Sequence, residues 1–174
     1  MSTPGWLLRA LSGLPNATKT PRADDKPPAP VNRARVADYL RRRSYRFVID
    51  DDGDLTGTWD GNRFWFLLLG DAQEILQVRG RWHRTLPLDA RASIALAVND
   101  WNRERIWPKA YLREEEGMLA VYAETSADLE AGANDAQLAQ VLSCGLGTGV
   151  QMFGSFESTL PGPGAPDPPD VPDH

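Results

Sequence analysis

Residues 55–83 read LTGTWDGNRFWFLLLGDAQEILQVRGRWH, and their punctuation decides the fold. Leu55, Gly57 and Trp59 alternate with Thr56, Thr58 and Asp60, the period of a strand. Asp60-Gly61 supplies the positive φ angles of a two-residue hairpin turn. Arg63–Leu69 is a nearly continuous apolar run, which predicts a central strand covered on both faces. Gly70-Asp71 turns the chain once more. Leu76, Val78 and Trp82 then point one way while Gln77, Arg79, Arg81 and His83 point the other, the pattern of a half-exposed antiparallel strand.

On the N-terminal side, Tyr45–Ile49 is short and rich in aromatic and β-branched residues, as strands are. Before it, Asn32 is placed to cap a helix over residues 33–44, and Val31 and Val36 are spaced as a hydrophobic staple. Arg41, Arg42 and Arg43 fall in the last turn of that helix, where cations complement its dipole. On the C-terminal side, Asp89 is placed to cap a helix over about residues 90–105, with Ile94, Ala97, Val98 and Trp101 on one stripe. Pro108 ends it. A second hairpin follows, Lys109–Glu115 and Met118–Glu124, turning near Glu116-Gly117. Asn134 and Gln137 have the spacing of a capping box. They open a long helix whose stripe comprises Leu138, Val141, Leu142, Gly145, Gly149, Met152, Phe153, Phe156 and Leu160. The expected fold class is α+β, in the order α-β-β-β-α-β-β-α, with a mainly antiparallel sheet packed by helices.

The 174 residues suffice for one domain. Residues 15–30 hold five prolines and no aromatic side chain, and residues 161–174 are dominated by proline, glycine and aspartate. Neither stretch has the apolar surface to offset chain ordering. The expected organisation is therefore a disordered segment and linker over 1–31, a folded domain over 32–160 and a disordered tail over 161–174. Within the first segment, Trp6-Leu7-Leu8 is a candidate docking element. Residues 1–49 carry ten Lys or Arg against three Asp, a net +7; residues 50–174 carry nine against twenty-one, a net −12. One cysteine, Cys144, allows no internal disulfide. No apolar run approaches a membrane span, and no signal peptide is evident. A cytoplasmic location is expected.

Chemistry-bearing motifs are weak. The Asp50–Asp54 run looks like a calcium loop, but glycine stands at its fourth position where an EF-hand needs it at the sixth, and Gly61 stands where the bidentate glutamate belongs. Gly145-Leu-Gly-Thr-Gly149 lacks the Lys-Ser/Thr ending of a phosphate loop. Gly145 and Gly149 lie four apart on the apolar stripe, which suits close packing against a sheet or a partner helix. His83 and Cys144 have no neighbours in sequence that would make a nucleophile and base pair, and no Cys/His cluster suggests a metal. No catalytic residue, metal ligand or cofactor is assigned.

The most specific stretch is VNDWNRERIWPKAY, residues 98–111. It resembles the YbjN family, described as bacterial sensory transduction regulators, and Asp52-Gly-Asp-Leu55, Trp59-Asp-Gly61 and Ala127-Asp-Leu-Glu130 through Leu138 fit the same pattern. The resemblance covers about residues 35–160. It implies a fold similar to type III secretion chaperones, which often pair as dimers and bind other protein chains, and it brings no catalytic residues. Asn99, Trp101, Asn102, Trp107 and Pro108 match the family motif, where a structural role is expected of them. The resulting expectation is a non-enzymatic regulator or chaperone-like adaptor with a protein partner. A homodimer through the Gly145/Gly149 stripe is one specific form of it. A carboxylate-based enzyme and a nucleic-acid-binding regulator are the alternatives; the acidic domain disfavours the latter, and membrane association is not expected.

Overall fold

The computed structural model describes residues 27–160. Its elements run α1 (Arg33–Arg42), β1 (Val48–Ile49), β2 (Leu55–Trp59), β3 (Asn62–Leu69), β4 (Ile75–Leu86), α2 (Arg91–Glu104), β5 (Lys109–Glu115), β6 (Met118–Asp128) and α3 (Asp135–Thr159). The fold is α+β, as expected; β1 falls within the strand expected at Tyr45–Ile49, so the four segments read as strands before α2 all form, one more than the expected order counts. All six strands form one antiparallel sheet in the order β1-β2-β3-β4-β6-β5. Residues 1–26 of the expected disordered N-terminal segment, Trp6-Leu7-Leu8 among them, and the tail 161–174 lie outside the described residues. Ala29, assigned to the linker on sequence, exchanges two backbone hydrogen bonds with Ala133 (3.2 and 3.0 Å).

The tight turns follow from their residues. Asp60 and Gly61 both take positive φ (48° and 78°), as do Glu116 and Gly117 (50° and 76°), which matches the twist of two-residue hairpins. The Asp50–Asp54 run is a hairpin turn between β1 and β2: Asp50 O accepts from Gly53 N (2.9 Å) and Asp50 Oδ1 accepts from Asp54 N (2.9 Å). At α3 both halves of the capping box form, Gln137 N to Asn134 Oδ1 and Asn134 N to Gln137 Oε1, each at 2.8 Å. Asn32 Oδ1 caps α1 by accepting from Arg35 N at 3.0 Å. Asp89 does not cap α2. It lies in a short 3₁₀ turn, Leu88–Ala90, and the residue before α2 is Ala90, without a side-chain cap.

The core joins all three helices to the sheet face formed by Leu55, Phe64, Phe66, Leu76, Val78, Trp82, Ala110, Leu119, Val121 and Ala123. Two aromatic chains run through it: Trp59 to Phe64 to Phe153, and Trp82 to Phe156 to Trp101, all edge-on at 5.9–6.3 Å. Gly145 and Gly149 let α3 settle onto this face. A Cβ at Gly145 would lie 2.7 Å from the Cβ of Val78, and one at Gly149 would lie 2.7 Å from Cε1 of Phe64. The glycine stripe is thus filled by the chain's own sheet, and the self-association surface expected there is not free. At the opposite end, the Arg35 guanidinium bonds the carbonyls of Ala29, Pro30 and Ala133 and the Asp135 carboxylate (2.7–3.0 Å). It ties the entry of the chain to the start of α3.

Candidate functional site

With all three helices in one core on one face, no helix among the described residues lies over the other face of the sheet. Cross-strand register assigns its rows, since directly paired residues share a face. One row runs Val48, Thr56, Trp65, Arg79, Glu124, Lys109 and the next runs Thr58, Arg63, Arg81, Tyr122, Tyr111. This corrects the expectation that β3 is covered on both faces. Arg63, Trp65 and Leu67 belong to the helix-free side, and Trp65 is half-buried.

Two adjoining hollows lie on this face. One, of about 200 Å³, is lined by Asp50, Asp52, Asp54, Leu67, Arg79 and Arg113 together with Trp65 and Tyr122. The other, of about 640 Å³, shares Trp65 and Tyr122 and adds Arg63, Arg81, Glu115 and Met118. The first brings the β1–β2 turn and Arg113 of β5 to one cavity although they stand at opposite ends of the strand order. The sheet therefore curls about this face.

The polar groups here are held in place. Tyr111 and Tyr122 stack with centroids 5.3 Å apart and planes at 11°. The Tyr122 hydroxyl donates to Glu115, whose other oxygen accepts from Arg81 Nε at 3.0 Å. The Tyr111 hydroxyl donates to Glu124 Oε1 at 2.5 Å, which also accepts from Arg79 Nε at 2.7 Å. Arg79 reaches Gln77, and Gln77 reaches Ser126. The hydrogen bond from Tyr122 and the nearby Arg81 keep the Glu115 carboxyl below the usual carboxylate range despite partial burial. Burial first, and the accepted carboxylate second, push both phenols up. Glu115 is thus fixed as an acceptor and the phenols as donors, an arrangement suited to recognition and poorly poised for proton transfer near neutrality. Arg63 lies 4.8 Å over the Trp65 ring, and Arg113 lies 5.5 Å over that of Tyr122. At the acidic rim, burial and the neighbouring Asp50 push the Asp54 carboxyl up, opposed by Arg33 at 3.7 Å.

The motif residues lie elsewhere, at the α2–β5 junction. Asn102 Nδ2 donates to Ala110 O (2.9 Å) and its Oδ1 accepts from Ala110 N (2.8 Å). Because β5 is an edge strand, this amide caps outward-facing backbone groups. Such capping occupies the edge at this one residue. Trp101 is buried and its Nε1 donates to Pro108 O at 3.1 Å. Pro108 follows a cis peptide bond. Trp107 is 51% exposed, and Asn99 and Asn102 are both exposed. His83 is exposed, and Cys144 is half-buried in α3.

Sequence reading found the exposed side of β4 but missed its continuation onto β3, β5 and β6. The signal was available. Tyr111, Arg113 and Glu115 recur at period two, as do Tyr122 and Glu124 on the neighbouring strand.

The YbjN family model, described as "Putative bacterial sensory transduction regulator", matches residues 32–158. No curated protein is a match by sequence. Among solved structures, the crystal structure of YbjN, "a putative transcription regulator from E. coli", is similar at a TM-score of 0.65 and 12% identity, over 75% of this chain and 94% of that one. A chain of the HopA1–SchA chaperone–effector complex gives a TM-score of 0.48 at 18% identity, over 75% of this chain and all of that one. At these identities the likeness is one of fold. Among the described residues, no helix is long and apolar enough to cross a membrane.

Proposed function

Because the chain belongs to the YbjN family, we propose that it is a non-catalytic regulator or chaperone-like adaptor that binds a polypeptide partner on the helix-free face of its sheet. The observation that carries this reading is the character of that face. Trp65, Tyr111 and Tyr122 stand among Arg63, Arg79, Arg81, Arg113 and Lys109, which are offset by Glu115, Glu124, Asp50, Asp52 and Asp54. Aromatic and arginine side chains are the usual anchors of protein interfaces. A surface of alternating charge fits a polypeptide of mixed charge better than a phosphate chain, which needs a net cationic track. The engagement of Glu115 and Glu124 by an arginine and a tyrosine each supports the non-catalytic reading. A cytoplasmic setting is part of the proposal.

The test places a photo-crosslinking amino acid at position 65 and, as a control, at the exposed Gln140 on α3, in the native cell. The expected result is a discrete protein adduct at position 65 only. That protein, once purified, should bind the wild-type chain and lose at least about tenfold in affinity to Trp65→Ala, the cost of an aromatic anchor. Equal adducts at both positions, or unchanged affinity for Trp65→Ala, would refute the assignment of this face.

A further inference from the structure

The two edges of the sheet are unlike. The β5 edge is capped at Ala110 by Asn102. The other edge is β1, whose Val48 and Ile49 are 65% and 61% exposed. Backbone alternation along β1 follows from its pairing. Asp50 N donates to Asp54 O at 2.9 Å, and Val48 pairs with Thr56 and Ile49 with Leu55. In an antiparallel ladder, hydrogen-bonded residues alternate with residues whose groups point away. Val48 and Asp50 therefore face β2, while Phe47 and Ile49 present N–H and C=O outward.

We infer that β1 is the docking edge for a second copy of this chain, paired antiparallel about a two-fold axis at Val48. In that register Phe47 faces Ile49 of the second copy, and both have their backbone groups on the correct side. The two such pairs make four hydrogen bonds. The even-numbered side chains share the helix-free face with Thr56, and the sequence Arg46-Phe-Val-Ile-Asp50 is then its own complement. Arg46, which is exposed, faces Asp50 of the second copy, twice over, in the closer of the two pair types, and Val48 meets its own mate. A register centred on Phe47 sets Arg46 opposite Val48, and one centred on Ile49 sets it opposite Asp52, which lies in the β1–β2 turn and not in the strand. Opposite charges directly across an antiparallel pair stabilise it, and like charges destabilise it. Because each copy contributes its one β1 edge to a two-fold contact, that contact closes at two. The helix-free faces of the two copies then continue into one another.

The test uses the full chain. Sedimentation equilibrium should show a concentration-dependent dimer, and amide hydrogen exchange at Phe47 and Ile49 should slow as concentration rises. Arg46→Glu sets like charges opposite each other at both pairs and should weaken the dimer by about tenfold or more. Its circular dichroism should stay unchanged, because Arg46 is exposed. Arg46→Ala, which removes the attraction without setting like charges opposite each other, should weaken the dimer less than Arg46→Glu. A chain that stays monomeric at millimolar concentration would overturn the inference. So would a dimer indifferent to Arg46→Glu, or one that leaves the Phe47 and Ile49 amides unprotected. None of these outcomes bears on partner capture at Trp65.

Discussion

Gly147 and Gly149 lie two residues apart in α3, yet alanine at each should move stability in opposite directions. At Gly147 an added Cβ meets nothing within 4 Å. Alanine there gains helix propensity alone, about 1 kcal/mol. At Gly149 the same atom would stand 2.7 Å from Cε1 and 3.1 Å from Cζ of Phe64, well inside the ~3.5–4.0 Å of a favourable carbon contact. The ring has little room to retreat. It is fully buried, with Trp59 and Phe153 each 5.9 Å away, and a Cβ at Gly80 on its other neighbour strand would lie 2.6 Å from it. Overpacking by one methyl costs about 1–3 kcal/mol, which outweighs the propensity gain and leaves Gly149→Ala destabilised by about 1 kcal/mol. Urea unfolding followed by tryptophan fluorescence resolves such differences as midpoint shifts at constant slope. In thermal unfolding the two variants should straddle wild type, each displaced by about 2–4 °C. If Gly149→Ala proves as stable as Gly147→Ala, α3 does not seat on Phe64 as described.

Three further outcomes follow from particular contacts. Asn102→Ala removes both hydrogen bonds that cap Ala110; it should cost about 1–3 kcal/mol in urea unfolding and, by uncapping the β5 edge, raise light scattering on heating. Tyr122→Phe removes the largest influence holding the Glu115 carboxyl low. A depressed carboxyl contributes stability above its unfolded pKa and loses it as pH falls through the folded one, so the variant should lose that contribution at a higher pH than wild type; carboxyl-carbon NMR titration of Glu115 and an acid unfolding series check it. A single-stranded oligonucleotide titrated at low salt should show no affinity that falls steeply as salt rises, because the aspartates and glutamates of the face oppose phosphate; a salt slope equivalent to several phosphates would revive the nucleic-acid reading.

How much was legible in advance varied with the kind of signal. Turns and caps set by single residues were readable: Asp60-Gly61, Glu116-Gly117 and the Asn134/Gln137 box all form. So was the ladder from β2 to β4, because its turns are too short for any other pairing. The helix-free face was not, since a hydrophobic pattern records burial without saying what does the burying. Leu67 is only 7% exposed although no helix covers it, with Arg79, Trp65 and the Asp50–Asp54 turn lining the same hollow. Long arginine stems can cover apolar surface while keeping their charge in water. Asn99 and Asn102 share nearly one face of α2, yet only Asn102 bonds Ala110, because it stands about 4.5 Å further toward the C-terminal end, where the chain turns into β5. Gly145 and Gly149 announced close approach without naming the neighbour, which is the sheet.

The Arg35 clip holds the described start of the chain beside the first turn of α3, whereas the described end emerges from its last. A helix of 25 residues rises about 37 Å along its axis. The two proline-rich flanks are therefore rooted at opposite poles of the molecule, and the folded body acts as a ruler between them. Fluorophores attached at residues 27 and 160 would report that length directly.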